Sequence, residues 1–161
     1  MPNLSTAPSD DVLDQIKAIL GHGGWKAGVQ AISYFDDPRG LFCGAAFLVV
    51  LPESTQQVSE IVSLCNREKI ALIPYGGGTG VVAGQLSIET ENMLILSLER
   101  MNSISEVSED DCTVTVQAGC ILAHLHAAAN EKALQFPLSM ASKGSCSVGG
   151  NLATNAGGIQ V

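Results

Sequence analysis

Positive charge is scarce in this chain of 161 residues: eight Lys and Arg stand against sixteen Asp and Glu, a formal net charge of −8. That balance argues against nucleic acid or an anionic membrane surface as a partner, since both would be repelled. It leaves room for a nucleotide held by backbone amides, where local dipoles outweigh net charge. Long apolar runs are missing too. The longest, Ala45 to Leu51, has seven residues, whereas a membrane-spanning helix needs about twenty. Met1 to Asp11 is polar and acidic, without the apolar core of a secretory signal. The five cysteines, Cys43, Cys65, Cys112, Cys120 and Cys146, are odd in number and contain no close pair. They suit reduced, mostly buried thiols in a cytoplasmic protein rather than a disulfide framework, and leave no cysteine cluster for a metal.

Recognisable catalytic groupings are absent as well. No Gly-Lys-Ser/Thr follows a glycine loop, so a P-loop is excluded. His22 sits in a Gly-His-Gly-Gly turn, and His124 and His126 are two apart on an expected helix, facing different ways. They read as solvent-facing or packing residues. No Ser/His/Asp or Cys/His arrangement emerges, and Cys146 among small residues reads as packing.

What is present is glycine in two clusters. The apolar run Ile70 to Ile73 meets Pro74, and Gly76, Gly77, Gly78, Thr79 and Gly80 follow closely. This reads as a buried strand delivering the chain to a tight loop. Glycine permits positive φ and removes the Cβ that would keep a ligand from the backbone. Bare N–H groups in succession then form an anion site that needs no Lys or Arg, and a diphosphate is its natural guest. Glycine clusters also make turns that bind nothing. The second cluster, Ser145 to Gly158, holds small and amide residues with no charge in fourteen positions. The pair suggests two walls of one site for a large ligand. Its glycines would let a flat ring lie against the backbone, while Asn151, Thr154 and Asn155 offer hydrogen bonds. Ser145 or Ser147 would cap a short helix through Gly149 to Thr154, ended by Gly157 and Gly158; tight helix packing alone is the other reading.

Periodicity supplies the frame. Val12, Leu13, Ile16, Ile19 and Leu20 form a helical stripe behind the cap-competent Ser9 and Asp10. Trp25 to Gly44 reads as an irregular lead-in. Ala45 to Leu51 is a strand buried on both faces, and a helix opens at Pro52 to Thr55 and runs to about Glu68 on Val58, Ile61, Val62 and Cys65. The Ile70 strand completes a parallel strand–helix–strand unit, and Met93 to Leu98 is a third strand. Ser103 to Val107 and Thr113 to Gln117 form a hairpin across Ser108 to Asp111, and Ile121 to Leu134 is an amphipathic helix with Leu122, Leu125, Ala128, Ala129 and Leu134 inward. The fold class is α+β: lead-in over 1–40, a small parallel unit over 41–102, and the start of an antiparallel unit over 103–161.

Gly78-x-Gly80-x-x-Ala83, with Glu99 twenty-one residues later, imitates a Rossmann fingerprint. Against it, only about a dozen residues separate loop from strand, Val81, Val82 and Gly84 stand where a long helix should begin, and no apolar stripe runs from Val81 to Asn92.

The two clusters in this order resemble the FAD-binding domain of the vanillyl-alcohol oxidase / p-cresol methylhydroxylase flavoproteins. The likeness runs from about Gly40 and is closest to the D-2-hydroxyacid dehydrogenases, which handle D-2-hydroxyglutarate, D-lactate and glycolate, and among them most similar to the D-2-hydroxyglutarate dehydrogenase-like branch. It is carried by Pro52-Glu53-Ser54-Thr55, Pro74 to Gly80, Leu96 to Asn102, Val116 to Cys120, and Phe136 to Gly158. The resemblance implies an FAD pyrophosphate on Gly76, Gly77, Gly78, Thr79 and Gly80, with Gly84 and Gln85 closing the loop. It places Ser139, Gly144, Ser145, Gly149, Gly150, Asn151, Thr154 and Asn155 along the rest of the dinucleotide and the flavin. Relatives that bind FAD covalently in this loop carry His where this chain has Thr79, so attachment is expected to be non-covalent; Tyr75 stands where many relatives have Arg. A hydride would pass from the α-carbon of a small 2-hydroxyacid to FAD, and an electron acceptor would follow, at a membrane periphery in some arrangements. Catalytic residues, and any metal, are expected C-terminal to residue 161, so this portion alone is expected to be inactive, with an unfinished sheet edge inviting self-association. Another oxidase of the same fold and a non-catalytic nucleotide-binding module are the alternatives.

Overall fold

The computed structural model describes residues 8–88 and 93–158. The chain forms two compact units, one of residues 1–75 and 80–97, the other of residues 76–79 and 98–161.

In the first unit, helix α1 (Asp10–Leu20) starts where Ser9 accepts the Val12 N–H and stops at Gly21, whose φ of +67° ends the helical path. Its buried stripe, Val12, Leu13, Ile16 and Leu20, follows the expected period. The lead-in is more ordered than its sequence suggests. Strand β1 (Trp25–Lys26) pairs antiparallel with β2 (Leu48–Val50), and a 3₁₀ helix over Gly28–Tyr34 buries Ala31 and Tyr34. Two strand residues and one i, i+3 pair are too short a signal for periodicity to register.

Helix α2 (Thr55–Glu68) opens on Ser54, whose hydroxyl accepts the Gln57 N–H, and ends at Lys69 in the left-handed conformation. It buries Ile61, Leu64 and Cys65, whereas Val62 is exposed, so its inward stripe includes Leu64 in place of Val62. Strands β3 (Ala71–Tyr75) and β4 (Met93–Ser97) complete a four-stranded sheet in the order β1-β2-β4-β3. The pairs β2–β4 and β4–β3 are parallel, so β4 lies between the two strands that α2 connects. Leu48, Val49 and Val50, together with Leu94, Ile95 and Leu96, are buried, as expected for central parallel strands covered on both faces. The described part of the β3–β4 connection, 76–88, contains no helix, which removes the dinucleotide fold that the Gly78 motif imitates.

In the second unit β5 (Ile104–Ser108) and β6 (Thr113–Val116) form an antiparallel hairpin with an irregularity between Ile104 and Glu106. Helix α3 (Leu122–Glu131) buries Leu122, Leu125 and Ala129; Leu122 and Leu125 pack in a cluster with Cys120 and Cys146, bordered by Val114, Phe136 and Leu138. Helix α4 (Val148–Ala153) follows a turn over residues 141–145, opens on Ser147 and ends at Thr154. The fold is α+β, a sheet that is parallel except for its β1 edge followed by an antiparallel element. No helix among the described residues is long and apolar enough to cross a membrane.

Candidate functional site

Strand β3 releases the chain at Tyr75 into Gly76, Gly77 and Gly78. Gly76–Thr79 lies in the second unit, directly on the other glycine cluster. A Cβ on Gly77 would fall 1.9 Å from the Ser145 carbonyl oxygen and 2.9 Å from the Cys146 Cα. A Cβ on Gly76 would meet Ser147 Oγ at 2.9 Å and the Gly150 Cα at 3.5 Å. The two clusters, far apart in sequence, are therefore in backbone contact, and only glycine allows that approach. Gly78 has φ +67°, so the loop turns where a side chain would be strained.

Among the described residues, no hydrogen bond is donated by the backbone N–H of Gly77, Gly78, Thr79 or Gly80. No charged residue occurs from Ile70 to Ile88 or from Gly144 to Gly158. Amides without acceptors, no Cβ except at Thr79 and no carboxylate in either segment leave Gly77, Gly78 and Thr79 suited to an anion.

In the first unit the loop continues through Gly80 and is closed by Gln85, whose side-chain amide donates to the Gly80 carbonyl at 3.1 Å. Gly84 has nothing within 4 Å of an added Cβ, and Ala83 takes φ +57° while its carbonyl accepts the Leu86 N–H.

The rest of the second cluster divides by role. Ser147 caps α4 by accepting the Gly150 N–H at 3.2 Å. Gly149 packs on Ala118, where an added Cβ would be 2.8 Å from both Cβ and carbonyl oxygen, and its N–H donates to that oxygen at 2.7 Å. Gly144 and Ser145 are exposed, and an added Cβ on Gly144 meets nothing. Asn151 is buried and donates to Cys146 Sγ at 3.6 Å, while Thr154 Oγ1 donates to the Gly150 carbonyl at 2.8 Å. Both side chains are thus engaged within α4 and its approach. The helix ends at Thr154, before the glycines expected to stop it; Gly158, at φ +63°, lies against the Ser139 carbonyl, 2.1 Å from the position of an added Cβ. Asn155 joins Asn151 in lining a cavity of about 280 Å³, walled by Phe136, Pro137 and Leu138 on one side and Val148 and Leu152 on the other.

Sequence reasoning missed Ser147 as the side chain facing Gly76. It also missed Gly119, whose added Cβ would fall 1.8 Å from the Leu98 carbonyl oxygen. The Val116 to Cys120 motif that carries part of the resemblance was the available signal for Gly119. The cysteines are all free, Cys65, Cys120 and Cys146 buried, Cys43 and Cys112 exposed. Burial pushes the Cys65 thiol up to about 11 and raises that of Cys120. Among the described residues no group of three metal-ligating side chains occurs.

Residues 46–161 match the family model described as an FAD binding domain. The chain belongs to that FAD-binding family. Its cofactor is FAD, and the acceptor-free amides of Gly77, Gly78 and Thr79 are chemically suited to a diphosphate. The chain is 38% identical over 160 residues, 99% of its length, to a probable mitochondrial D-2-hydroxyglutarate dehydrogenase of Oryza sativa subsp. indica. It spans only 28% of that relative. Among solved structures it superposes on alkyldihydroxyacetonephosphate synthase with TM-score 0.82 at 22% identity, covering 96% of this chain and 30% of that one. On p-cresol methylhydroxylase the TM-score is 0.73 at 20% identity, covering 89% of this chain and 28% of that one. The fold is that of the p-cresol methylhydroxylase type.

Proposed function

We propose that this chain is the cofactor-binding portion of an FAD-dependent D-2-hydroxyacid dehydrogenase. The observation that carries the reading is the pairing of two uncharged glycine clusters in backbone contact beside amides that have no acceptor. The D-2-hydroxyglutarate dehydrogenase named above supports the substrate class.

On this reading Gly76, Gly77, Gly78, Thr79 and Gly80 hold the diphosphate through their N–H groups, with Gly84 and Gln85 keeping the far end of the loop closed. Ser139, Gly144, Ser145, Gly149, Gly150, Asn151, Thr154 and Asn155 border the remainder of the dinucleotide. The buried Asn151 side chain contributes shape, while exposed Gly144 and Ser145 offer backbone. When bound, the flavin supplies a two-electron acceptor for hydride from the α-carbon of a 2-hydroxyacid. The residues named here bind and orient it. A separate electron acceptor completes turnover in the whole protein, whose remaining residues supply the catalytic groups. Thr79 offers no nucleophilic nitrogen, so attachment is non-covalent. Five free cysteines support a reducing compartment.

The test is acid precipitation after loading with FAD and removing free ligand. A flavin spectrum in the supernatant is the expected result. Yellow colour retained in the pellet would overturn non-covalent attachment, and a colourless full-length protein would overturn the function.

A further inference from the structure

The segment Gln135–Ser139 forms one wall of the 280 Å³ cavity through Phe136, Pro137 and Leu138. It belongs to no strand and has no ladder partner. Among the described residues it makes a single hydrogen bond, between His126 Nε2 and the Leu138 carbonyl oxygen at 2.9 Å. His126 stands on α3, half-buried, with the Phe136 ring centroid 6.2 Å from its own at a 46° tilt. A carbonyl can only accept, so the ring must carry a proton on Nε2. One side chain thus holds both the backbone and the aromatic face of an otherwise unladdered wall.

We infer that His126 is a positioning residue for the cofactor site: through Leu138 it fixes the wall formed by Phe136 to Ser139. The inference rests on the FAD reading and deepens it. Phe136 and Leu138 also border the apolar cluster of α3, so packing sets the wall's depth, while the imidazole sets its register along the chain. Met140 and Lys143 turn back immediately afterwards, with the Lys143 N–H donating to the Met140 carbonyl. A slip of the wall would therefore carry Ser139 away from the close backbone contact it makes with Gly158.

The test uses the 161-residue chain, free FAD as the probe, and the variants His126→Ala and His126→Gln. Alanine suits a helix and removes the bond, whereas glutamine keeps an N–H donor of similar reach. His126→Ala should weaken FAD affinity about tenfold, the worth of one lost hydrogen bond, and alter the bound flavin spectrum. His126→Gln should restore most of both. Long-range proton–nitrogen NMR of the free wild-type chain should show a proton on Nε2. Protonation on Nδ1 alone overturns the inference whatever FAD does. So does unchanged affinity in His126→Ala, or a glutamine variant as weak as the alanine one. If the wild-type chain and the full-length protein both take up no flavin while the Nε2 proton is present, the cofactor reading falls and takes the functional part of this inference with it. The wall contact itself then stands.

Discussion

Gly77 and Gly144 belong to the same expected site but face opposite tests. An added methyl on Gly77 collides with the Ser145 carbonyl, so Gly77→Ala should cost about 3 kcal/mol of stability, at the upper end of overpacking, and abolish FAD retention with it. Gly144 meets no protein atom, so Gly144→Ala should leave the urea midpoint unchanged. A loss of FAD affinity in that variant would then report on the ligand alone, and unchanged affinity would remove Gly144 from the site. Cys65 carries a different prediction. Its folded thiol is held up to about 11 from an ordinary 9.0, so the native state keeps a proton that the unfolded state releases first. The contribution is fully present below pH 9.0 and is lost as pH rises from there to about 11, worth about 3 kcal/mol on the linkage relation. Urea midpoints across that window should fall less steeply in Cys65→Ala than in the wild type.

Among the elements, α4 is the most exposed to a single change. Six residues with two glycines have little intrinsic helicity, and Ser147 supplies the cap. Ser147→Ala should lower stability by about 1 kcal/mol, read as a lower melting temperature; an unchanged value would mean that packing of Gly149 on Ala118 suffices. The helix and its cap were legible in the sequence because Ser147 precedes a small-residue run. Helices α1 and α2 were legible for a related reason, a sustained stripe behind a serine. The two-residue β1 and the 3₁₀ helix were not, since neither spans a full period. Strand order was also hidden. Apolar runs say which segments are strands, and nothing in Leu48–Val50 or Ala71–Tyr75 states that Met93–Ser97 comes between them. The contact between the two glycine clusters was legible in residue types, because bare backbone is what permits it. The division of labour at the site was not. That Asn151 turns inward, that Thr154 bonds back to the Gly150 carbonyl and that Gly119 seats on a carbonyl depends on approach distances that only folding sets.

For the whole molecule, acidity and the proposed amide-held diphosphate predict an unusual salt dependence. With a net charge of −8 and no Lys or Arg in either glycine segment, distant carboxylates repel the diphosphate across water. Salt screens that repulsion over about 10 Å at 0.1 M. FAD affinity should therefore hold or rise between 0.01 M and 0.15 M salt. A marked fall would mean that unrecognised cations carry the anion and would overturn the amide cradle. The order β1-β2-β4-β3 also matters during synthesis. While the ribosome has delivered β2, α2 and β3 but not Met93–Ser97, the two apolar strands have no parallel partner, because the strand that joins them is made last. Their free edges stay sticky for as long as translation takes to cross the glycine loop and β4. Slow codons within that stretch would lengthen the interval in which a chaperone, or another nascent copy, can occupy the gap.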